Sequence, residues 1–294
     1  MTSPAPFVEN APAKVNLTLR VLGRRSDGYH EIESLVAFAE FGDTLSFSPG
    51  GELALRVQGP NAANAGEDAD NLVLKAVRAL AGRVAGIGLG AFQLDKRLPV
   101  AAGLGGGSAD AAAALRLLAR ANKLPIDDGR LYDAARVVGA DVPVCLDPRP
   151  RLMRGVGEIL SAPLKLPPLP ALLANPGIAL PTKSVFAAWK GVASAAVPLD
   201  VATAAKIGNR EEYLRLLATQ SNDLEDAAIA VEPAVAEVLA SLRALAGCRL
   251  ARMSGSGATC FALFSSAAAA IEAAKALGNK YPHWWVRASA LGGG

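Results

Sequence analysis

Residues 99–115 read PVAAGLGGGSADAAAAL: four glycines within five positions, then a serine, then a run of alanines. Glycine loses more backbone freedom on folding than any other residue, whereas alanine has the highest helix propensity. The chain must therefore bend sharply here and enter a helix, expected from about 108 to 122. A bare strand-to-helix turn needs one or two residues at positive φ. Four glycines in five imply close approach by a ligand. A curled backbone followed by a helix N-terminus directs several N–H groups at one anion. No lysine follows the glycines, so this is not a Walker P-loop. Ser108 stands where a dinucleotide fingerprint needs its third glycine. Phosphate binding is the reading that remains, with Ser108 capping the helix or turning its hydroxyl to a phosphate or a phosphate-bound metal ion.

The flanking pattern sets the architecture. Val15, Leu17, Leu19 and Val21 alternate with Lys14, Asn16, Thr18 and Arg20, as in a half-buried strand with a solvated polar side. Further alternation at 32–38, in TLSFS and in LALRV predicts antiparallel sheet in the N-terminal third. Leu72, Val73, Ala76, Val77 and Leu80 then recur at helical spacing, with Asp70 or Asn71 as the cap. A short strand, AFQLDK, leads into the glycine loop. Further helices are expected at 128–138, 209–219, 232–246 and 266–277. The proline-rich stretch 162–173 interrupts regular structure and marks a border region, giving domains 1–160 and 161–294. Mixed helices and hairpins predict α+β rather than a doubly wound parallel sheet.

Composition excludes several classes. The chain has 294 residues, 51% hydrophobic and 19% charged, enough for a sizeable core. A net charge of +3 with no basic block gives no footprint for nucleic acid or an anionic membrane. Cys145, Cys248 and Cys260 form no C-x-x-C pair, which argues against disulfides and zinc and for reduced thiols in the cytoplasm. The opening MTSPAPFVENAPAK lacks the apolar run of a signal peptide, and no membrane span is expected.

Eight segments together resemble the GHMP kinases, the superfamily of galacto-, homoserine, mevalonate and phosphomevalonate kinases. They are PAKVNLTLRVLGRRSDGYHEIES, DNL, KRLPVAAGLGGGSADAAAAL, GADVPVCL, RGVGE, PTKSVF, NDLE and MSGSGATCFALF. The resemblance implies an α+β, two-domain GHMP kinase fold. Its N-terminal part would be a ribosomal-protein-S5-domain-2-like sheet with helices, and its C-terminal part an α/β sandwich. It also implies an ATP- and Mg2+-dependent kinase acting on a small molecule. The acceptor would be the 2-hydroxyl of a methylerythritol unit carried on cytidine diphosphate. Neither nucleic acid nor membrane is an expected partner, and the oligomeric state stays open between monomer and weak homodimer.

Roles follow from the resemblance. By itself Lys14 reads as part of a solvated face and Asp141 as a turn or cap aspartate. The resemblance makes Asp141 the base and Lys14 the cation that keeps it ionised. Asn16 and Thr182 lie near the acceptor. Tyr29 and Phe186 stack on the two faces of cytosine while His30 hydrogen-bonds its edge. Asn71, Lys96, Pro99, Gly103, Gly105, Gly106, Gly107 and Ser108 hold the nucleotide. Without the resemblance Asn71 is a helix cap, Lys96 a solvated edge-strand lysine and Phe186 core. MSGSGATCFALF implies a second glycine loop near the phosphates, although a tight turn before a strand explains it nearly as well. Relatives commonly carry a second serine where this chain has Ala109. No acidic magnesium ligand stands out besides Asp141, so the ion would rest on phosphates, water and Ser108.

Overall fold

The computed structural model describes residues 5–65, 70–191 and 198–292. In chain order its strands are β1 (Phe7–Asn16), β2 (Arg20–Arg24), β3 (His30–Pro49), β4 (Ala54–Gln58), β5 (Gly90–Asp95), β6 (Arg151–Gly155), β7 (Ile159–Leu160), β8 (Leu169–Asn175), β9 (Cys248–Met253), β10 (Cys260–Phe264) and β11 (Trp285–Leu291). The helices are α1 (Leu72–Ala81), α2 (Gly106–Ala121), α3 (Gly129–Val138), α4 (Val142–Leu146), α5 (Thr182–Ala188), α6 (Val201–Lys206), α7 (Arg210–Ala218), α8 (Glu225–Val231), α9 (Ala234–Arg243) and α10 (Ala267–Lys280). They form two compact units built from interleaved segments. The first comprises Met1–Ala13, Phe41–Val100 and Gly105–Pro148; the second comprises Lys14–Glu40, Ala101–Leu104 and Arg149–Gly294. A single cut at residue 160 falls inside the second unit.

In the first unit the far end of β3 pairs antiparallel with β5, and β4 joins β5 in parallel. Phe47 lies opposite Phe92, and the two buried rings stack at 4.5 Å. Helices α1 to α4 pack on one another. Asn71 caps α1 by accepting from the Val73 N–H at 2.9 Å, and Val73, Leu74, Ala76, Val77 and Leu80 are its buried stripe. In α2 the alanines at 109 and 111–114 are all buried, so small side chains let neighbouring helices approach closely. Gly42 matters to the strand framework, because a Cβ there would lie 2.0 Å from the Ala11 carbonyl oxygen.

The second unit centres on β8, whose seven residues are all buried, in the antiparallel order β11, β8, β10, β9. This strand begins inside the stretch expected to be irregular. The run LPALLAN is apolar on both faces, the pattern of a central strand rather than an edge. Pro170 is tolerated because the ladder to β10 starts one residue later, at Ala171. The near end of β3 pairs with β2 and β6, and Ala39 is opposite Leu291. Leu172, Val238, Leu239, Phe264 and Trp284 belong to one buried apolar cluster against which α8, α9 and α10 pack.

Two expectations about strands change. The alternation at 32–38 and TLSFS belongs to one 20-residue strand, since Gly42 is the one glycine among the five residues between them and it is accommodated. The run expected as one strand from 13 to 22 is split, with β1 ending at Asn16 and β2 starting at Arg20. Its polar side is not solvated: Lys14, Asn16 and Thr18 are 3%, 2% and 2% exposed. No helix among the described residues is long and apolar enough to cross a membrane.

Candidate active site

The candidate residues fall into two groups, one in each unit. In the second unit Lys14 Nζ donates to Asn16 Oδ1 at 2.7 Å, and Asn16 Nδ2 donates to Ser34 Oγ at 2.7 Å. Ser34 in turn donates to the Thr18 carbonyl at 2.5 Å, while the Thr18 hydroxyl accepts from the Leu35 N–H at 2.9 Å. A polar network buried with its partners thus replaces the solvated face, which is the condition for burying such groups. Asn16 is also held through its backbone: its N–H donates to Ser254 Oγ at 3.1 Å, and Ser254 Oγ donates to the Gly103 carbonyl at 2.9 Å. The hydroxyls of Thr182 and Ser256 lie 2.8 Å apart. The second glycine loop therefore touches three predicted site residues, Asn16, Gly103 and Thr182.

The aromatic candidates lie in the same unit. The His30 and Phe186 rings stack at 4.8 Å, and Trp189 meets His30 edge-on at 5.6 Å. The ring that faces Phe186 is thus that of His30, while Tyr29 is 63% exposed. Burial, and secondarily the Arg24 guanidinium, hold the His30 ring below the usual histidine pKa. That shift favours the neutral imidazole, which presents one donor and one acceptor. Trp189 was not expected; it follows Phe186 by three residues, the spacing that places two side chains on one helical face.

In the first unit α2 starts at Gly106, two residues earlier than expected. Gly105 is its N-cap at φ 60° and ψ 21°, a left-handed conformation that glycine adopts without cost. Ser108 consequently sits in the first turn and not at the cap. No side chain caps this helix and its first turn has no acidic residue. The first turn of a helix carries N–H groups without intrahelical partners and the positive end of the dipole, which favour an anion.

The glycines themselves also have causes within the protein. A Cβ on Gly103 (φ +76°) would meet the Ser254 carbonyl oxygen at 2.3 Å. On Gly106 it would meet Lys96 Nζ at 3.2 Å, and on Gly107 Leu72 Cδ1 at 3.2 Å. Close approach is real at each position, but the approaching group is protein.

Lys96 departs from the expected solvated lysine. It is buried between Asp43 at 2.7 Å and Asp110 at 2.5 Å, both carboxylates also buried. Asp43 is the better ligand for charge, since its Oδ1 accepts the Arg97 and Leu98 N–H groups at 2.6 and 2.8 Å. Asp110 Oδ1 has no hydrogen-bond partner among the described residues. Burial, reinforced by the Asp43 charge, pushes the Asp110 carboxyl up to about 8 against the opposing pull of Lys96. Asp110 lies in the GGGSAD segment but alternation and spacing carry no signal for an ion pair made at its position. Asn71 is the α1 cap, as one of its two readings required. Asp141 immediately precedes α4 yet its carboxylate makes no cap hydrogen bond, so the cap reading does not explain it. Among the described residues no cluster of three His, Cys, Asp or Glu side chains could hold a metal.

Comparison with known proteins defines the class. The family model "GHMP kinases N terminal domain" matches residues 71–147 and "GHMP kinases C terminal" matches residues 202–283. The solved structure of a homoserine kinase from Cytophaga hutchinsonii shares the fold, with TM-score 0.71 at 20% identity over 98% of this chain and 96% of that one. This is a two-domain α+β GHMP kinase fold. A solved 4-(cytidine 5'-diphospho)-2C-methyl-D-erythritol kinase aligns with TM-score 0.79 at 38% identity, covering 98% of this chain and 100% of that one. A 4-diphosphocytidyl-2-C-methyl-D-erythritol kinase of Rhodopseudomonas palustris (strain BisB18) is 55% identical over 97% of this chain and 94% of its own length. One from Methylobacterium radiotolerans is 56% identical over 95% of this chain and 97% of its own. The chain belongs to the 4-diphosphocytidyl-2-C-methyl-D-erythritol kinase family.

Proposed function

We propose that the protein transfers the γ-phosphoryl group of ATP to the 2-hydroxyl of 4-diphosphocytidyl-2-C-methyl-D-erythritol, giving the 2-phosphate and ADP. This is a step of non-mevalonate isoprenoid biosynthesis in the cytoplasm. The observation that carries the reading is identity above half, along nearly the whole chain, to relatives bearing that name. The uncapped α2 supports it as a seat for phosphates, with Gly103, Gly105, Gly106, Gly107 and Ser108 lining the approach and Asn71 and Pro99 beside the nucleoside. Lys96, its ammonium engaged by two carboxylates, supports the glycine turn from beneath.

Phosphoryl transfer needs positioning and charge neutralisation more than covalent chemistry. Asp141 takes the hydroxyl proton, and Lys14, oriented by Asn16, supplies positive charge to the developing oxyanion. Magnesium, carried on the phosphates and reached by Ser108, would neutralise their charge. Tyr29, His30 and Phe186 grip the cytosine and Thr182 lies along the acceptor.

A coupled ADP-release assay tests the proposal, run with the cytidyl substrate and with homoserine, mevalonate and galactose. Turnover restricted to the cytidyl substrate is expected. Equal rates on an acceptor without a base would remove the cytosine grip. Asp141→Asn is expected to lower kcat by about 100- to 10,000-fold with ATP-analogue affinity nearly unchanged. A kcat close to wild type would show that Asp141 is not the base.

A further inference from the structure

NDLE, residues 222–225, has no role in the account above, yet it sits directly behind the second glycine loop. The Asn222 carboxamide is fully engaged. Its Nδ2 donates to the Met253 carbonyl at 2.9 Å and to the Gly255 carbonyl at 2.8 Å, and its Oδ1 accepts from the Leu224 N–H at 3.0 Å. Glu225 Oε2 accepts from the Met253 N–H at 3.1 Å. The loop so held has no slack on its other side. A Cβ on Gly255 would lie 3.1 Å from the Gly103 carbonyl oxygen and 3.2 Å from Asn16 Oδ1. Between those contacts, Ser254 Oγ bonds both the Asn16 N–H and the Gly103 carbonyl. A displacement of a few tenths of an ångström at 253–255 therefore shifts Asn16, and with it Lys14, relative to Gly103.

We infer that Asn222 is a positioning residue for phosphoryl transfer: its two N–H donors fix the turn whose Ser254 hydroxyl ties the Lys14–Asn16 end of β1 to Gly103. The inference rests on the proposed role of those two elements in the transfer. Asn222 acts through the turn at 253–255, whose Ser254 hydroxyl makes the hydrogen bonds to Asn16 and Gly103. Its signature is a fall in kcat, because misplacement of reacting groups by about 1 Å costs on the order of 100-fold, with the KM of the acceptor little changed. A merely local turn, Asn222 Oδ1 accepting from the Leu224 N–H ahead of α8, would leave no such signature.

Asn222→Asp separates the two roles in the full-length protein. It keeps the oxygen that accepts from Leu224 and loses both donors to the loop. A kcat lowered on the order of 100-fold, with acceptor KM and thermal midpoint near wild type, is expected. Ser254→Ala is expected to lower kcat comparably, and the double variant to be no worse than either single one, because both break one linkage. Wild-type kcat in Asn222→Asp, or losses that multiply in the double variant, would overturn the inference. If Asn222→Asp does not fold, Ser254→Ala decides alone, and a wild-type kcat there overturns it. Wild-type protein that releases no ADP from any acceptor removes the proposed function and this inference with it, whereas an active wild type with an equally active Asn222→Asp removes only the inference.

Discussion

Lys96 carries two lessons about single residues. A lysine next to a glycine-rich loop reads as a nucleotide ligand or a solvated side chain; burial removes the second reading, and two buried aspartates hold its ammonium. Removing one member of a buried ion cluster leaves charge uncompensated, at about 3–5 kcal/mol. Asp43→Ala is therefore expected to lower the urea midpoint of unfolding strongly. Asp110→Asn is expected to lower it less, because burial already disfavours the charge on a carboxyl pushed up to about 8. The sign with pH follows. A carboxyl whose folded pKa is raised stabilises the fold fully below the ordinary carboxylate range and loses that contribution as pH climbs to about 8. Between pH 5 and 8 the wild type should lose stability relative to Asp110→Asn; parallel curves would refute the assignment. His30 is the second titrating residue. Its pKa is held down by burial first and by Arg24 second. Arg24→Gln should move the imidazole titration upward in an NMR experiment, towards but not past the free value. An unchanged titration would leave burial as the whole cause.

At the scale of elements, the glycine loop separates what the fold needs from what a ligand needs. Gly103 is fixed twice over, by φ of +76° and by the Ser254 carbonyl 2.3 Å from any Cβ. Gly103→Ala should therefore reduce both thermal stability and turnover. Gly107 has an ordinary helical backbone and meets only the movable end of Leu72. Gly107→Ala should keep or gain stability, since alanine is favoured over glycine in a helix by about 1 kcal/mol. A raised KM for ATP in that stable variant would show that the ligand also needs the space. An unchanged KM would leave packing against Leu72 as the sole reason for the glycine. Periodicity made α1, α3, α7 and α10 legible because each buries one apolar stripe. It misread Lys14, Asn16 and Thr18, since alternation marks which residues face together and not whether that face meets water or a partner network. It also missed β8, where prolines precede a strand buried on both faces. The resemblance named Lys14, Asn16, Thr182, His30 and Phe186, but their supports Ser34, Ser254 and Asn222 become visible only once the chain is folded.

At the scale of the whole molecule, the compact units are not successive stretches of chain, and the two family models, over 71–147 and 202–283, leave out residues 14–40. Residues Lys14–Glu40 belong with Arg149–Gly294, and the partners that make this so lie 202 to 252 residues downstream. Asn16 binds Ser254, the Leu19 N–H donates to the Ser221 carbonyl, the Leu17 carbonyl accepts from Arg252, and Ala39 faces Leu291. Arg252 is particularly demanding. Its guanidinium is buried and is satisfied by the carbonyls of Leu17, Leu217 and Gln220, so without 14–40 a charged group loses one of its acceptors inside a core. Separate expression of 1–160 and 161–294 should therefore yield no folded fragment, judged by cooperative thermal unfolding and amide exchange. The 161–294 piece should fail even though it holds all of β8 to β11, because its apolar cluster also requires Leu19, Val21 and Ile32. Mixing the two fragments should restore cooperative unfolding, since every lost contact is then supplied in trans. A 161–294 fragment that unfolds cooperatively alone would show that the C-terminal segment carries a sufficient core, and that 14–40 is attached to the second unit without helping to build it.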